Sequence, residues 1–210
     1  MDDMSRHNHD SQESVTRFSM KYILGLDIST SVVGAAIVDP ETLALKGLFY
    51  VNLTKEKGMI NKISALKIEL EKYTPMIGHV AIEEPLVMFK EGFSRAQVLS
   101  LLSQFNGMCQ FLTFLLYKSE PVMYNVNSAR KLSYGDLKFP KGCKRKELVQ
   151  ERSAKEYPDI DWPMKKTGRL KDECFDMADA IVIARAHAVA LKNATKTAPV
   201  DFSEEEYDDK

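Results

Sequence analysis

The sequence predicts an α/β domain built on a mixed five-stranded sheet with helices on both faces. Three short apolar runs follow one another early in the chain, at 22–28, 32–38 and 43–53. After them, helical periodicity alternates with further strand-like runs. Residues 1–20 and 195–210 lack apolar periodicity, so we expect disordered tails on either side of one domain at 21–194.

The first half of the domain is expected to be a meander followed by two helices around a strand. The connections between the three apolar runs are short, which favours antiparallel pairing. A fourth strand is expected at 79–83, and a long helix at 94–118 is apolar on nearly every side. Such a helix must be covered all round, and a second copy of the chain can supply part of the cover. The apolar residues of the helix between the third and fourth strands are Ile60, Ile63, Leu66, Leu70 and Tyr73.

The second half continues with a strand and three helices. A fifth strand is expected at 121–126, and Asn127 or Ser128 can cap a short helix after it. A basic helix at about 143–157 and a last helix at about 172–192 complete the domain. This order of elements is typical of the ribonuclease H-like fold, which has three antiparallel strands followed by helix, strand, helix, strand and further helices.

Length and composition exclude several classes of protein. With 210 residues, the chain is too short for two large lobes that close on a nucleotide. We expect no run of membrane-spanning length, and the polar, acidic N-terminus is unlike a signal peptide. The cysteines at 109, 143 and 174 have no paired spacing, which indicates reduced thiols in a soluble intracellular protein.

The net charge of -1 conceals an uneven distribution. The last ten residues carry six acidic side chains against one lysine, whereas residues 130–171 carry thirteen Lys or Arg and six Asp or Glu. A basic segment of this kind permits a polyanionic partner, although a solvated surface accounts for the same pattern.

Acidic residues stand at the ends of two predicted strands. Asp27 lies in an otherwise apolar strand, where a charge is costly unless it is paired or bound to a metal. The alternative is a strand-end Asp that makes local hydrogen bonds to the following serines and threonine. Glu83 and Glu84 end the fourth strand, and only one of them can point to a given face. A solvated strand end is the alternative for this pair.

The last helix carries the strongest signal, in the segment DECFDMADAIVIARAHAVAL. Asp176 and Asp179 are three residues apart and therefore share one face of an almost wholly apolar helix. Their mutual repulsion requires a counter-charge, which is either a metal ion or a Lys or Arg of the basic segment. Asp172 extends the cluster or, in the reading we prefer, caps the helix. Oxygen ligands suit Mg²⁺, and two such ions can activate water and stabilise the leaving oxygen of a phosphodiester.

Three motifs in order resemble the RuvC-like Holliday-junction resolvases of the ribonuclease H-like superfamily. They are ILGLDISTSVVGAAIVD, HVAIEEP and DECFDMADAIVIARAHA, and the resemblance covers roughly residues 21–192. It implies a homodimer that cuts two opposed strands of a four-way DNA junction. It also implies two Mg²⁺ per site, with Mn²⁺ as an alternative. The metal ligands implied are Asp27, Glu83, Asp176 and Asp179.

The resemblance also suggests residues that contact DNA. Family members place an aromatic residue in the loop after the second acid, and here Phe89 is the first candidate and Phe93 the second, unless both pack against the long helix. Ser29 departs from the family, which usually has glycine there. Catalytic lysines are expected in the basic loop, and Lys144 and Lys146 are our first choices. The phosphate-binding residues expected there are Lys138, Lys141, Lys144, Arg145 and Lys146. Lys155, Lys165 and Lys166 fit a solvated surface better.

Three other functions remain open at this point. A nuclease of the same fold that acts on flaps, other branched DNA or RNA–DNA hybrids would carry the same acids. The opening hairpin also resembles the phosphate-binding hairpin of actin-like and sugar-kinase-like ATPases, but the length and Ser29 argue against that class. A DNA-binding module without catalysis would have lost a carboxylate, and all four are present.

Overall fold

The computed structural model describes residues 21–85, 93–135 and 144–197, of which 93–95 and 196–197 are described by their backbone alone. Five strands form one sheet. They are β1 (Tyr22–Ile28), β2 (Val32–Val38), β3 (Leu45–Asn52), β4 (Ile77–Glu83) and β5 (Val122–Tyr124). Their order in the sheet is β3-β2-β1-β4-β5. β1, β2 and β3 pair antiparallel, whereas β4 is parallel to β1 and β5 is parallel to β4. The predicted meander and mixed sheet are confirmed.

Helices cover both faces of this sheet, as the sequence predicts. They are α1 (Gly58–Glu71), α2 (Phe93–Tyr117), α3 (Val126–Tyr134), α4 (Arg145–Glu156) and α5 (Glu173–Thr197). α1 and α2 pack on one face through Leu66, Leu70, Phe105 and Cys109, which are fully buried against the sheet. α5 lies on the other face, and α3 and α4 pack against it.

Several element ends differ from the prediction. The side chain of Asn125 accepts a hydrogen bond from the backbone N–H of Asn127, so Asn125 caps α3 in place of Asn127 or Ser128. β3 is shorter than 43–53, β4 begins two residues earlier than predicted, and β5 covers only three residues of 121–126. α5 continues to Thr197, so the predicted boundary at 194 falls inside a helix. The remainder of both predicted tails lies outside the described residues.

α2 is only half covered. Phe105, Cys109 and Leu112 are buried, but five large apolar side chains on other sides of the helix are exposed. These are Val98, Leu101, Phe111, Phe114 and Leu115. By length and composition alone, Ala96–Tyr117 would suffice to cross a membrane, which corrects our expectation that no run is that long. The same composition is typical of a helix that packs in a core, as the buried side of α2 does.

The described cysteines are free thiols, as the sequence predicts. Cys109 and Cys174 are buried free thiols, and Cys143 lies outside the described residues. His187 accepts from or donates to the Tyr124 hydroxyl through Nδ1, at 3.0 Å. Ile60 is the exception in α1, because its side chain is 70% exposed and takes no part in the predicted apolar face.

Candidate active site

Parallel pairing brings the two strand-borne acids together. The last paired residues of β1 and β4 are Leu26 and Ile82, so Asp27 and Glu83 are the next residues on adjacent strands. The carboxyl ends of parallel strands meet at the same edge of a sheet. Asp27 and Glu83 share the face that α5 covers, and Glu84, the next residue, is exposed and lies at the mouth of the same cleft.

Two glycines let α5 lie close enough to the sheet to join this site. Gly34 is opposite Asp27 in the β1–β2 ladder. A Cβ at Gly34 would lie 2.1 Å from the backbone oxygen of Asp176, and a Cβ at Gly25 would lie 2.4 Å from that of Ala180. Any larger residue in these positions would push the helix away. The apolar face of α5 and the absence of side chains at Gly25 and Gly34 therefore set how close Asp176 and Asp179 lie to the sheet.

The result is a compact group of carboxylates. One carboxylate oxygen each from Asp27, Glu83 and Asp179 lies within 4.8 Å of the others. Asp27 is 8% exposed and Asp179 is 2% exposed. Asp176, one turn before Asp179, lines the same cleft as Asp27 and Glu83. The structure thus brings together all four acids that the sequence singles out.

Burial is the main cause that raises the pKa values of Asp27, Glu83 and Asp176. Burial raises the pKa of Asp27 well above its usual range, and the charges of Glu83, Asp179 and Asp176 raise it further. Burial also raises the pKa of Glu83. It raises that of Asp176 to about 6, although Lys146 acts in the opposite direction. Raised pKa values mean that the negative charges of these carboxylates are poorly compensated by the protein. A bound cation would supply the missing positive charge in place of protons.

Two basic side chains already meet the cluster. Arg130 on α3 donates from Nη2 to Oδ1 of Asp179 at 2.8 Å, and both side chains are buried. The Nε–H of Arg130 is buried and has no hydrogen-bond partner among the described residues. Lys146 Nζ lies 3.8 Å from the other oxygen of Asp179, and its side chain is 62% exposed. The ion pair that the sequence left open for Asp179 is therefore present, with Arg130 as the main partner.

Supporting contacts fix the strand end and the first loop. Asn106 on α2 is buried and donates to the backbone oxygen of Glu83 at 3.0 Å, and Gln110 in turn donates to Asn106. Ser29 closes the turn after Asp27, because its hydroxyl accepts from the Val32 N–H at 3.0 Å and donates to the Val32 oxygen at 2.7 Å. Serine therefore holds the loop by its own hydrogen bonds, in the position where the family usually has glycine.

The site opens to solvent through a cleft of about 160 Å³. Asp27, Glu83 and Asp176 line it together with Ser29 and Lys146. Buried oxygen ligands on three elements, with raised pKa values and access from solvent, fit a hard divalent cation such as Mg²⁺. The residues present are therefore suited to the metal that the sequence predicts.

The other predicted residues have different positions. Lys144 is 80% exposed and pairs with Glu147 at 3.0 Å, away from the acids, whereas Lys146 lines the cleft. Arg145 Nη1 is 3.4 Å from Oδ1 of Asn127. Phe93 begins α2, but its side chain is not among those described. Phe89, Lys138 and Lys141 lie outside the described residues.

Arg130 and Asn106 are the site residues that sequence analysis did not single out. A signal for Arg130 existed, since two buried carboxylates on one helix need a counter-charge and Arg130 begins the basic segment. Its pairing with Asp179 depends on how α3 packs against α5, which no local pattern encodes. Asn106 gave a weaker signal, as a polar residue on the otherwise apolar buried side of α2.

Comparisons with known proteins bear on the fold. No family model matches the chain. No curated protein matches it in sequence either. Among solved structures, RuvC from Thermus thermophilus matches with a TM-score of 0.56 and 15% identity, over 83% of this chain and 97% of that chain. T. thermophilus RuvC in complex with a Holliday junction substrate matches with a TM-score of 0.60 and 15% identity over the same shares.

A third structure agrees with these two. The yeast mitochondrial Holliday junction resolvase Ydc2 matches with a TM-score of 0.53 and 14% identity, over 85% of this chain and 82% of that chain. At such identities the likeness shows the fold. The chain has the mixed-sheet, ribonuclease H-like fold of RuvC, and the resemblance predicted from the three motifs is confirmed at that level.

Proposed function

We propose that this protein is a structure-selective, metal-dependent endonuclease that resolves four-way DNA junctions by paired symmetric nicks. The observation that carries the proposal is the group of carboxylates from Asp27, Glu83 and Asp179, whose oxygens lie within 4.8 Å of one another at the end of the sheet. Its position in a fold shared with two Holliday-junction resolvases supports a nuclease of that type.

The four acids form the proposed metal centre. Asp27, Glu83, Asp176 and Asp179 would hold two Mg²⁺ ions, or Mn²⁺ in their place. When bound, the ions supply an activated water and stabilise the leaving oxygen of the phosphodiester. Asp179, the most buried of the four, lies behind the cleft, whereas Asp27, Glu83 and Asp176 line the cleft through which a phosphate would enter.

The two basic side chains at the centre have separate roles in this proposal. Lys146 is long, largely exposed and lines the cleft, so its ammonium group can bind a non-bridging oxygen of the scissile phosphate. Arg130 is buried and forms an ion pair with Asp179, so we assign it the role of orienting that carboxylate and not of contacting DNA. Of the two lysines first chosen from sequence, Lys146 is thus the better candidate for catalysis, and Lys144 is better placed for backbone contact.

The remaining DNA contacts stay as predicted. Lys144 and Arg145 begin α4 next to the cleft. Lys138 and Lys141 precede them in the chain, and we propose that all four bind backbone phosphates together with Lys146. Phe89 and Phe93 follow Glu83 along the chain, and either aromatic ring can enter the junction at its point of strand exchange.

A homodimer accounts for the exposed side of α2. Five large apolar residues there lack cover, and solvent-exposed apolar patches of this kind mark interaction sites. A second copy of the chain, related by a two-fold axis, would bury the patch against itself and present two active sites to opposed strands. The enzyme would act as a soluble intracellular protein whose catalytic domain covers residues 21–194 and continues to the end of α5.

The test is cleavage of a labelled synthetic four-way junction beside a linear duplex, a flap and an RNA–DNA hybrid, each with Mg²⁺ and with EDTA. Paired symmetric nicks in the junction alone, lost in EDTA, are the expected result. Cutting of the flap or hybrid instead would move the function to another nuclease of this fold. If no substrate is cut, the nuclease proposal fails, and nucleotide hydrolysis would distinguish an ATPase from a binding module.

A further inference from the structure

A short basic hairpin lies outside the acid cluster. Met164 and Leu170 pair across it as an antiparallel bridge, and the N–H of Lys165 donates to the oxygen of Arg169 at 2.7 Å. The N–H of Gly168 closes the turn on the oxygen of Lys165 at 2.9 Å, with a φ of 75° that favours glycine. Residues 163–171 (PMKKTGRLK) contain four Lys or Arg and no acid.

The hairpin is firmly held at its base. Trp162 is 7% exposed and donates from its indole nitrogen to the oxygen of Tyr157. The oxygen of Pro163 accepts from the Lys171 N–H at 2.9 Å and from the Cys174 thiol at 3.4 Å. Leu170 packs against the apolar cluster beneath α5. Three exposed cations therefore lie on a well-defined backbone. For Lys165 and Lys166, the sequence alone favoured a solvated surface without a ligand.

A cleft of about 660 Å³ separates the hairpin from the start of α4. Lys144 lies on one side of it, and Lys165 and Arg169 lie on the other. Three acids also line this cleft, and two of them are paired, Glu147 with Lys144 and Asp172 with Lys165. The three cations and three acids that line the cleft therefore balance in charge, and Lys166 adds a further positive charge on the hairpin outside it. Among the described residues, neither Lys166 nor Arg169 forms a salt bridge with an acid.

This cleft lies beside the active site. Lys144 lines it and Lys146, two residues later, lines the active-site cleft. Asp172, the residue before α5, lines the first cleft, and Asp176, in the first turn of α5, lines the second, so these two acids are four residues apart, roughly 6 Å along a helix. Double-stranded DNA rises about 3.4 Å per base pair. Because Lys165 Nζ contacts Asp172 Oδ1 at 2.7 Å, this side of the hairpin lies next to the start of α5, within the span of a few base pairs from Asp176.

We propose that Lys165, Lys166 and Arg169 form a second phosphate-contact surface that binds the backbone of one DNA arm next to the cleaved strand. The inference rests on the proposed function, since it takes the substrate to be branched DNA. The pairs Lys165–Asp172 and Lys144–Glu147 are exposed and therefore weak, so phosphate can replace the acids as their partners. Contacts of this kind carry affinity without reading sequence.

The test is the salt dependence of junction binding, measured by fluorescence anisotropy in EDTA between about 50 and 200 mM salt. Each lost phosphate contact lowers the slope of log K against log salt by about 0.9, so Lys165→Gln/Lys166→Gln/Arg169→Gln is expected to lower it by about 2 to 3. The charge-matched control Lys21→Gln/Lys67→Gln/Lys72→Gln removes three exposed cations that line neither cleft and is expected to lower the slope by less than about 0.5.

A third variant keeps the charge. Lys165→Arg/Lys166→Arg/Arg169→Lys is expected to retain the slope of the wild type, which separates lost charge from damage to the hairpin. Equal slopes for the hairpin and control triple variants, in a protein that does cut junctions, would overturn this inference alone. A wild-type protein that neither binds nor cuts branched DNA would overturn the proposed function and this inference together.

Discussion

The two faces of the sheet are built in opposite ways. On the α5 face, every residue from 177 to 184 is buried, and two glycines admit the helix backbone almost to van der Waals contact with the strands. On the other face, α2 packs on the sheet along one side and leaves five large apolar side chains exposed. The closed face holds the carboxylates within a few ångströms of one another, whereas the open face leaves an apolar surface uncovered among the described residues. Under the proposed function, catalysis and assembly would use separate sides of one sheet.

The largest expected effect is on the closed face, at the Arg130–Asp179 pair. Arg130→Leu leaves the buried Asp179 carboxylate with only the largely exposed Lys146, 3.8 Å away, and is expected to destabilise the metal-free protein by about 3 to 5 kcal/mol. Denaturant unfolding in EDTA measures this. The double variant Arg130→Leu/Asp179→Asn removes both charges and is expected to recover most of the loss. If the double variant is as unstable as the single one, the charge pair is not the cause.

A pair of glycine substitutions compares the faces directly. Gly34→Ala places a Cβ 2.1 Å from the backbone oxygen of Asp176 and is expected to cost about 3 kcal/mol or prevent folding. Gly107→Ala on α2, where nothing lies within 4 Å of the new Cβ, is expected to stabilise by about 0.5 to 1 kcal/mol. The two melting temperatures should move in opposite directions. Equal shifts would mean that α5 is not seated as closely as described.

The pH dependence of stability sharpens the account of the closed face. The pKa of Asp176 is raised from 3.8 to about 6, so the folded protein binds this proton more tightly than the unfolded chain does. The stability that protonated Asp176 contributes to the folded state is therefore complete below about pH 4, and it is lost as the pH rises to about 6. In EDTA, Asp176→Asn should gain stability relative to the wild type across this range. Parallel curves for the two proteins would contradict the shift.

The smallest effect on folding is expected on the open face. Phe111 is 64% exposed, so Phe111→Ser should change the free energy of unfolding of the monomer by less than about 0.5 kcal/mol. Sedimentation at micromolar concentration should nevertheless show that this variant is a monomer while the wild type is a dimer. A wild-type monomer, or a dimeric variant, would move the assembly surface elsewhere.

The fold was predictable because its signals are local. Short apolar runs, their short connections and the later helical periodicity define the elements, and three motifs supply the order. Asp27, Asp176 and Asp179 stood out for a related reason, since charges in apolar segments must be compensated, whereas the choice of Glu83 over Glu84 came from the resemblance. The ends of α3 and α5 were not, because a cap at Asn125 and the continuation to Thr197 depend on single hydrogen bonds and packing.

Other features depend on tertiary contacts that leave little trace in the sequence. Arg130 meets Asp179 only because α3 packs on α5, and the two residues are 49 positions apart. The basic segment was visible in the sequence as an excess of positive charge. Only the fold shows that Arg130 contacts the acids, that other basic residues lie at the start of α4, and that Lys165, Lys166 and Arg169 lie on a separate hairpin. Ile60 shows the reverse case, in which helical spacing suggests burial and the side chain is exposed.

The most direct measurement is the cutting of a supercoiled plasmid that extrudes a cruciform, with the wild type, Asp27→Asn and Asp161→Asn compared in Mg²⁺. Asp27 lies in the buried acid cluster, whereas Asp161 is an exposed acid away from it. The account predicts linear product from the wild type and Asp161→Asn, and neither linear nor nicked product from Asp27→Asn at unchanged junction affinity. Cutting by Asp27→Asn at the wild-type rate would show that the carboxylate cluster is not the catalytic centre.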